Sequence, residues 1–370
     1  MRIIVVCFLH LDEIPPVITI LKVLSSKYNV LYIGVDDLND RFRTLFGSNI
    51  SFINILGIEE PKEEGLIGKV KRFLYWKIYR LKQRKAASII EKEYKKSDLV
   101  WIQHEYTLMG MRRIHVPYYL TMYELHQDLY KKKSELINRI KRANKVIVPE
   151  YTRAHIVQAC AGLNCLPLVI QNKPFEYDDR QIYLPDNPMD NIVHIAHASN
   201  KMVVLYSGIF LRERKLDTFI ESVAKLNDKF VMVFVGRKSE YLDELLSKYR
   251  NVIYLGFYNP PQHLSIIEKS DIGILTYVAN NNSINPVFCA PNKIWEYARF
   301  GKPMICNDIP GLKYTVEYNK MGYCCDINSV DDICRKLEQI YNHYSILSKN
   351  ASLYYLKVNI EKDICKVLEN

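Results

Sequence analysis

Cysteine is scarce, with nine in 370 residues, too few for a disulfide framework. Cys7, Cys160, Cys165, Cys289, Cys306, Cys324, Cys325, Cys334 and Cys365 form no Cys-x-x-Cys and no His-paired zinc spacing. They read as reduced, mostly buried thiols, which fits the cytoplasm. Long apolar runs are missing too. Met1 to Leu11 is apolar but breaks at Asp12 and Glu13. That is too short to span a membrane and lacks a signal-peptide cleavage region. No internal repeat or low-complexity tract is evident. With 48% hydrophobic and 25% charged residues, disordered and collagen-like classes are excluded. What is left is a chain long enough for two domains, each able to bury a core.

The formal net charge is +10, and it is unevenly placed. The first 198 residues hold 29 Lys and Arg against 22 Asp and Glu; the remainder holds 22 against 19. Lys69 to Lys85 carries eight basic residues and no acidic one. Read as a helix, Val70, Phe73, Leu74, Lys77, Ile78 and Leu81 follow the i, i+3, i+4 spacing of one largely apolar face. Tyr75 and Trp76 sit beside the basic residues. A second basic cluster runs Lys131, Lys132, Lys133, then Arg139, Lys141, Arg142 and Lys145. A basic amphipathic helix with aromatics suits an anionic membrane surface. The rival accounts are a solvated helix packed by one face on its own domain, and nucleic-acid binding, the weakest of the three.

Short apolar runs alternate with helical patterns along the whole chain. The first set is Ile3–Leu9, Val30–Gly34, Leu99–Ile102, Tyr118–Met122, Val146–Val148 and Leu168–Ile170. The second is Met202–Tyr206, Phe230–Val235, Val252–Leu255, Ile272–Leu275, Pro303–Cys306 and Gly322–Cys325. This is the signature of βα units in parallel sheets, and each set suits one doubly wound domain. Lys173 to Ala198 lacks a clear period and carries three prolines, so it reads as the connection. The expected division is 1–198, 199–352 and a terminal helix over 353–370 that crosses back to the first domain.

Ligands of parallel sheets bind outside the carboxyl ends of strands. In the second half, Met202–Tyr206 ends in Ser207-Gly208, followed by Arg212, Arg214 and Lys215. Phe230–Val235 ends in Gly236-Arg237-Lys238, and Val252–Leu255 in Gly256-Phe257-Tyr258. Glycine lets backbone approach a ligand, cations meet phosphate oxygens, and aromatics suit a base. Pro291 marks a helix start with Asn292 and Lys293 in its first turn, suited to a diphosphate. Glu296 lies one turn on, where a carboxylate accepts ribose hydroxyls. The helix stops at Gly301-Lys302-Pro303.

The block Pro291-Asn292-Lys293-Ile294-Trp295-Glu296-Tyr297-Ala298-Arg299-Phe300-Gly301-Lys302-Pro303-Met304-Ile305 resembles the nucleotide-sugar-binding block of bacterial family 4 glycosyltransferases. Tyr206-Ser207-Gly208 through Asp217, Val233 to Gly236, Asn251 to Gly256 with Ser270 to Ile274, Val146 to Glu150 and Ile170 to Pro174 look like further landmarks. The resemblance implies an α/β fold of GT-B architecture, two Rossmann-like doubly wound parallel-sheet domains facing a central cleft. The first would bind the acceptor and the second the nucleotide sugar. Glu296 matches the second Glu of the family's Glu-x7-Glu motif, the ribose ligand. The first Glu, which contacts the donor sugar, falls at Phe288. The Arg after the first Gly falls at Ile209. The Lys that follows falls on Arg214, with Lys215 the neighbouring alternative. Where many members carry His-Asp, this chain reads Tyr123-Glu124-Leu125-His126; either His126 replaces the His, or Tyr123 and Glu124 are the aligned pair.

The resemblance therefore implies sugar transfer with retention from a nucleotide sugar, a UDP-sugar favoured, to a lipid-linked or glycan acceptor in surface polysaccharide synthesis. Arg214, Lys215, Lys293 and His126 would act in catalysis. Gly208, Gly236, Arg237, Gly256, Phe257, Tyr258, Pro291, Asn292 and Glu296 would bind the donor. No Asp-x-Asp occurs, so no metal and no other cofactor is expected. The stretch Lys69 to Lys85 would hold the enzyme on the inner face of the cytoplasmic membrane. The alternatives are a nucleotide-sugar epimerase of the same fold and a non-catalytic partner subunit.

Overall fold

Apolar, β-branched runs too short for helices become strands covered on both faces. In the computed structural model, Ile3 to Val6 and Val203 to Tyr206 are nearly or wholly excluded from solvent. The structure describes the whole chain except residues 37–39, 58–60, 62–64, 132–133, 279–282 and 370. Lys132 and Lys133 of the second basic cluster thus lie outside the described residues.

The chain forms two compact units, Met1–Phe175 with Ile360–Asn370, and Glu176–Asn359. In the first, β1 (Arg2–Val6), α1 (Pro15–Lys27), β2 (Asn29–Gly34), α2 (Asp40–Phe46), β3 (Ile50–Asn54), α3 (Gly65–Glu93), β4 (Leu99–Gln103), α4 (Glu105–Gly110), β5 (Tyr118–Thr121), α5 (Glu135–Ile140), β6 (Lys145–Val148), α6 (Tyr151–Ala161) and β7 (Leu168–Val169) follow in order. Its sheet runs β3-β2-β1-β4-β5-β6-β7. Every neighbouring pair is parallel.

The second unit holds α7 (Asp179–Ile182), α8 (Pro188–Ala198), β8 (Met202–Ser207), α9 (Leu216–Lys225), β9 (Phe230–Val235), α10 (Glu240–Lys248), β10 (Val252–Tyr254), α11 (His263–Lys269), β11 (Ile272–Leu275), α12 (Lys293–Arg299), β12 (Met304–Asn307), α13 (Pro310–Leu312), β13 (Gly322–Cys325) and α14 (Val330–Lys357). Its sheet is parallel with order β10-β9-β8-β11-β12-β13. The last helix, α15 (Ile360–Glu369), is counted with the first unit, where Lys27 Nζ lies 2.6 Å from Glu361 and Lys145 Nζ donates to the Val367 carbonyl at 2.6 Å.

Three expectations are corrected. The boundary at 198/199 moves to 175/176. Residues 176–198 are no mere connection: α8 buries Met189 and Ala196 in the second core, and Asn187 donates to the Ser265 carbonyl at 3.1 Å. The terminal helix over 353–370 is two helices, broken at Val358 and Asn359. The edge strand β3 went unnoticed, since Ile-Ser-Phe-Ile-Asn carries polar residues and is only half covered.

The basic stretch is helical within α3, but its apolar stripe faces outward. Val70, Phe73, Leu74, Ile78 and Leu81 are 41–66% exposed. The helix is held instead by Tyr75, Ala86, Ala87 and Ile90, all buried, and by Tyr79, whose hydroxyl donates to the Phe8 carbonyl. The helix does pack by one face on its own unit, but that face is not the apolar stripe.

Candidate functional site

In the second unit the strand order reverses between β8 and β11, the point where such sheets bind ligands. Two glycines pave it. Gly208 N–H donates to the Val235 carbonyl and Gly236 N–H to the Gly256 carbonyl, both at 2.9 Å. A Cβ on Gly236 would stand 2.0 Å from the Gly208 carbonyl oxygen, so only glycine permits this approach. Lys293 lies over the same floor, its Cε 3.1 Å from where a Gly208 Cβ would be.

Lys293 reaches Glu296. Its Nζ donates to Glu296 Oε2 at 3.3 Å, and His263 Nε2 lies 3.5 Å from the same oxygen. The Glu296 side chain is 15% exposed. Burial pushes its carboxyl up, but Lys293 and His263 outweigh this and hold it well below the usual carboxylate range. An ionised carboxylate and an ammonium thus share the switch point. Sequence reasoning missed His263; a lone histidine at the start of a helical pattern carries no spacing signal.

Arg214 joins this group. Its Nη1 donates to the Thr276 carbonyl at 2.6 Å, and its guanidinium lies 4.1 Å from the Tyr277 ring centre. Its Nε is buried and has no partner among the described residues. Burial pushes the Tyr277 phenol up, and it feels both the Arg214 and Glu296 charges. Lys215 goes elsewhere. With φ 48° it starts α9, and its Nζ donates to Asn328 Oδ1 at 2.5 Å, lining a groove of about 570 Å³ with Asp308, Lys313 and Asp332. Of the two alternatives, Arg214 is the one that reaches the end of β11, at Thr276 and Tyr277.

Arg237 stacks on Phe257 at 4.6 Å, and Tyr258 packs against the core. Gly256 turns the chain with φ 84°. The helix expected to open at Pro291 begins at Lys293 and has seven residues. Ile294 and Trp295 N–H already donate to the Pro291 and Asn292 carbonyls, and Glu296 N–H to Asn292. This turn therefore offers fewer amides to an anion than expected. Phe288 sits in the preceding loop, its N–H 3.4 Å from the Ile284 carbonyl.

In the first unit the order reverses between β1 and β4. His126 lies beyond β5, with Nδ1 accepting from Asp128 N–H at 3.1 Å and its ring edge-on to Tyr106 at 5.2 Å. Three polar residues at and just past the end of β4 were unremarked from the sequence. Gln103 is fully buried and accepts from Tyr123 Oη at 2.9 Å. His104 is buried with φ 80°, a conformation that costs a residue with a Cβ about 1–2 kcal/mol. Glu105 is fully buried. A polar triplet closing an apolar run was a legible signal. Beyond β1 and β2, His10 Nδ1 lies 3.0 Å from Asp36.

Known proteins bear on the fold. Residues 190–354 match the family model described as glycosyl transferases group 1. The chain is 22% identical over 291 residues to an uncharacterized glycosyltransferase of Haemophilus influenzae, covering 65% of this chain and 80% of that one. Among solved structures, Anabaena HepE in complex with UDP and glucose superposes with TM-score 0.66 at 16% identity, covering 100% of this chain and 98% of that one. Sucrose-phosphate synthase from Thermosynechococcus elongatus gives 0.67 at 14%, with the same coverage. The fold is GT-B.

Proposed function

We propose that this glycosyltransferase moves a sugar from a UDP-sugar to a lipid-linked or glycan acceptor in surface polysaccharide synthesis, with retention, as a family 4-like enzyme. The observation that carries this reading is the half-buried Glu296 carboxyl sharing its oxygen with Lys293 above the glycine floor of the second unit. A nucleotide's ribose hydroxyls would donate to Glu296. Lys293 and Arg214 would meet the diphosphate and stabilise its charge as the sugar leaves. Arg237 and Phe257 would bound the base. HepE, of the same fold, binds UDP and glucose, which supports the choice of base.

The chemistry asks for positioning and charge stabilisation rather than a covalent step on the protein. Turnover is expected to continue in EDTA. A strict metal requirement would count against the site. Product analysis with labelled donor is the test of reaction type. Transfer with the anomeric configuration kept, and only with acceptor present, is expected; donor isomerised in the absence of acceptor would make the protein an epimerase.

The outward stripe of α3 supports a membrane-surface role. Among the described residues no helix is long and apolar enough to cross a membrane. Phe73, Leu74, Trp76 and Leu81 lie exposed among Lys71, Arg72, Lys77, Arg80 and Lys82, the pattern of a helix lying in an anionic interface. Replacing Lys71, Arg72, Arg80 and Lys82 by Ser should weaken binding to phosphatidylglycerol vesicles by about 10-fold or more. Equal sedimentation of both proteins with those vesicles would refute the role.

A further inference from the structure

The helix α3 is too long for the sheet it covers. Its 29 residues span about 43 Å, roughly twice the height of the sheet. Its course is pinned at two levels. Arg2, the first residue of β1, donates from Nη2 to the Glu93 carbonyl, and its Nη1 lies 3.6 Å from Glu93 Oε2. Tyr79 donates to the carbonyl of Phe8, just past the carboxyl end of β1, and Lys82 Nζ to that of Leu56, just past the end of β3. From Glu93 back to Tyr79 the helix rises about 21 Å, and β1 from Arg2 to Phe8 covers about 20 Å. That half of α3 accounts for the whole height of the sheet. The other half, Gly65 to Tyr79, extends about 21 Å past the carboxyl ends of the strands.

This overhang carries the apolar stripe. Before Tyr79, only Gly68 and Tyr75 are buried among the described residues, and Ile67 is exposed like the rest of the stripe. At about 100° per residue, Ile67, Val70, Leu74, Ile78 and Leu81 fall within one arc of about 80°. Gly68, Tyr75 and Tyr79 lie on another side. Lys71 and Lys82 border the arc on one flank, and Lys77, Arg80 and Lys69 on the other. In such a layout the apolar side chains sink below lipid headgroups while the cations stay level with the phosphates. A second copy of this chain suits the stripe poorly. Lys69 to Lys85 carries eight basic residues and no acidic one, so two such helices would repel.

The carboxyl ends of the strands are also where a parallel sheet binds its ligand. The strands β1 and β4, at the reversal of strand order, end on this rim, with His10 following one and His104 and Tyr106 the other. We propose, resting on the glycosyl-transfer reading, that the overhang is a membrane-seated shelf beside this rim and that the acceptor is a sugar headgroup carried on a lipid, not a soluble glycan. A helix lying in an interface keeps its axis in the membrane plane, so the rim opens along the surface. A lipid headgroup diffusing in that plane meets the rim. A soluble glycan would gain nothing from the shelf.

The test uses the full chain, a panel of labelled UDP-sugars and two acceptor pools from the source cells: vesicles of the total lipid extract, and the water-soluble oligosaccharides. Label is expected in the organic-solvent extract of the vesicles. The double variant Phe73→Ser, Leu74→Ser changes two exposed side chains. It is expected to lower lipid labelling about 10-fold, with UDP affinity and melting temperature unchanged. Dispersing the same lipids in non-ionic detergent removes the bilayer surface and should bring the variant within about 2-fold of wild type. Label confined to the water-soluble pool, or no lipid label from protein that binds UDP, would overturn the proposal. So would a variant that labels vesicle lipids as well as wild type, or a dimer in vesicle-free solution that the variant dissociates. If wild type binds no nucleotide, the glycosyl-transfer reading fails by itself. Sedimentation with phosphatidylglycerol vesicles then still decides the shelf: binding lost in the double variant supports it, and equal binding rejects it.

Discussion

Glu296→Ala should lower kcat/KM for the donor by about 100-fold or more, the scale of losing charge-assisted hydrogen bonds in a buried site. Two losses combine. The ribose loses its acceptor, and the Lys293 ammonium and the His263 imidazole lose the carboxylate they share. The effect should fall mainly on donor KM, because ribose contacts are made equally in ground and transition states. Glu296→Gln should lie between, keeping an acceptor oxygen but not the charge. The carboxyl is held below its usual range. Its contribution is thus present above the ordinary carboxylate pKa and lost only as pH falls toward the depressed value. Donor affinity should show no acid limb from this residue between pH 5 and 8. A KM unchanged in Glu296→Ala would remove Glu296 from the site.

Gly236→Val should be the most disruptive glycine substitution in the site. Even a Cβ there meets the Gly208 carbonyl oxygen at 2.0 Å and the Phe210 ring at 2.8 Å. Both are fixed, one by backbone hydrogen bonding to the neighbouring strand and the other by burial. Relief requires the ends of β8 and β9 to part, at about 3 kcal/mol. For a unit of this size that is a fall of several degrees in melting temperature, roughly 6–12 °C. Gly256→Ala is the control. Its Cβ would meet nothing within 4 Å, so only the left-handed φ of 84° counts, about 1 kcal/mol. Gly236→Val should lose donor binding with stability; Gly256→Ala should keep most of both. Equal thermal shifts would contradict the close-approach account.

Both parallel sheets were legible in the sequence because their strands are buried on both faces and read as unbroken apolar runs. Ile3–Leu9 and Phe230–Val235 are such runs. Where a strand lies at an edge the run breaks up, and β3 was lost for that reason. The residues that gather at the second unit's switch point were legible because local chemistry placed them: glycine at a strand end, cations after it, a carboxylate one helical turn beyond Lys293. His263 and Glu105 were not. His263 meets Glu296 across 33 positions of chain, and Glu105 meets Tyr123 across 18; no periodicity records either meeting. The direction of the α3 stripe was equally hidden. Spacing shows that a helix has an apolar face, whereas the buried Tyr75, Ala86 and Ile90 decide which way it turns. Arg214 and Lys215 were indistinguishable as neighbours in sequence, and the left-handed Lys215 backbone separates them.

The central claim is that the second unit binds a nucleoside diphosphate at Glu296, Lys293 and Arg214 without a metal. Calorimetric titration of UDP, GDP and dTDP into the protein in EDTA, repeated with Glu296→Ala, tests it directly. The account predicts one saturable site that prefers UDP in the wild type, and loss of that site in the variant. No binding of any of the three nucleotides, or equal UDP affinity in both proteins, would contradict it.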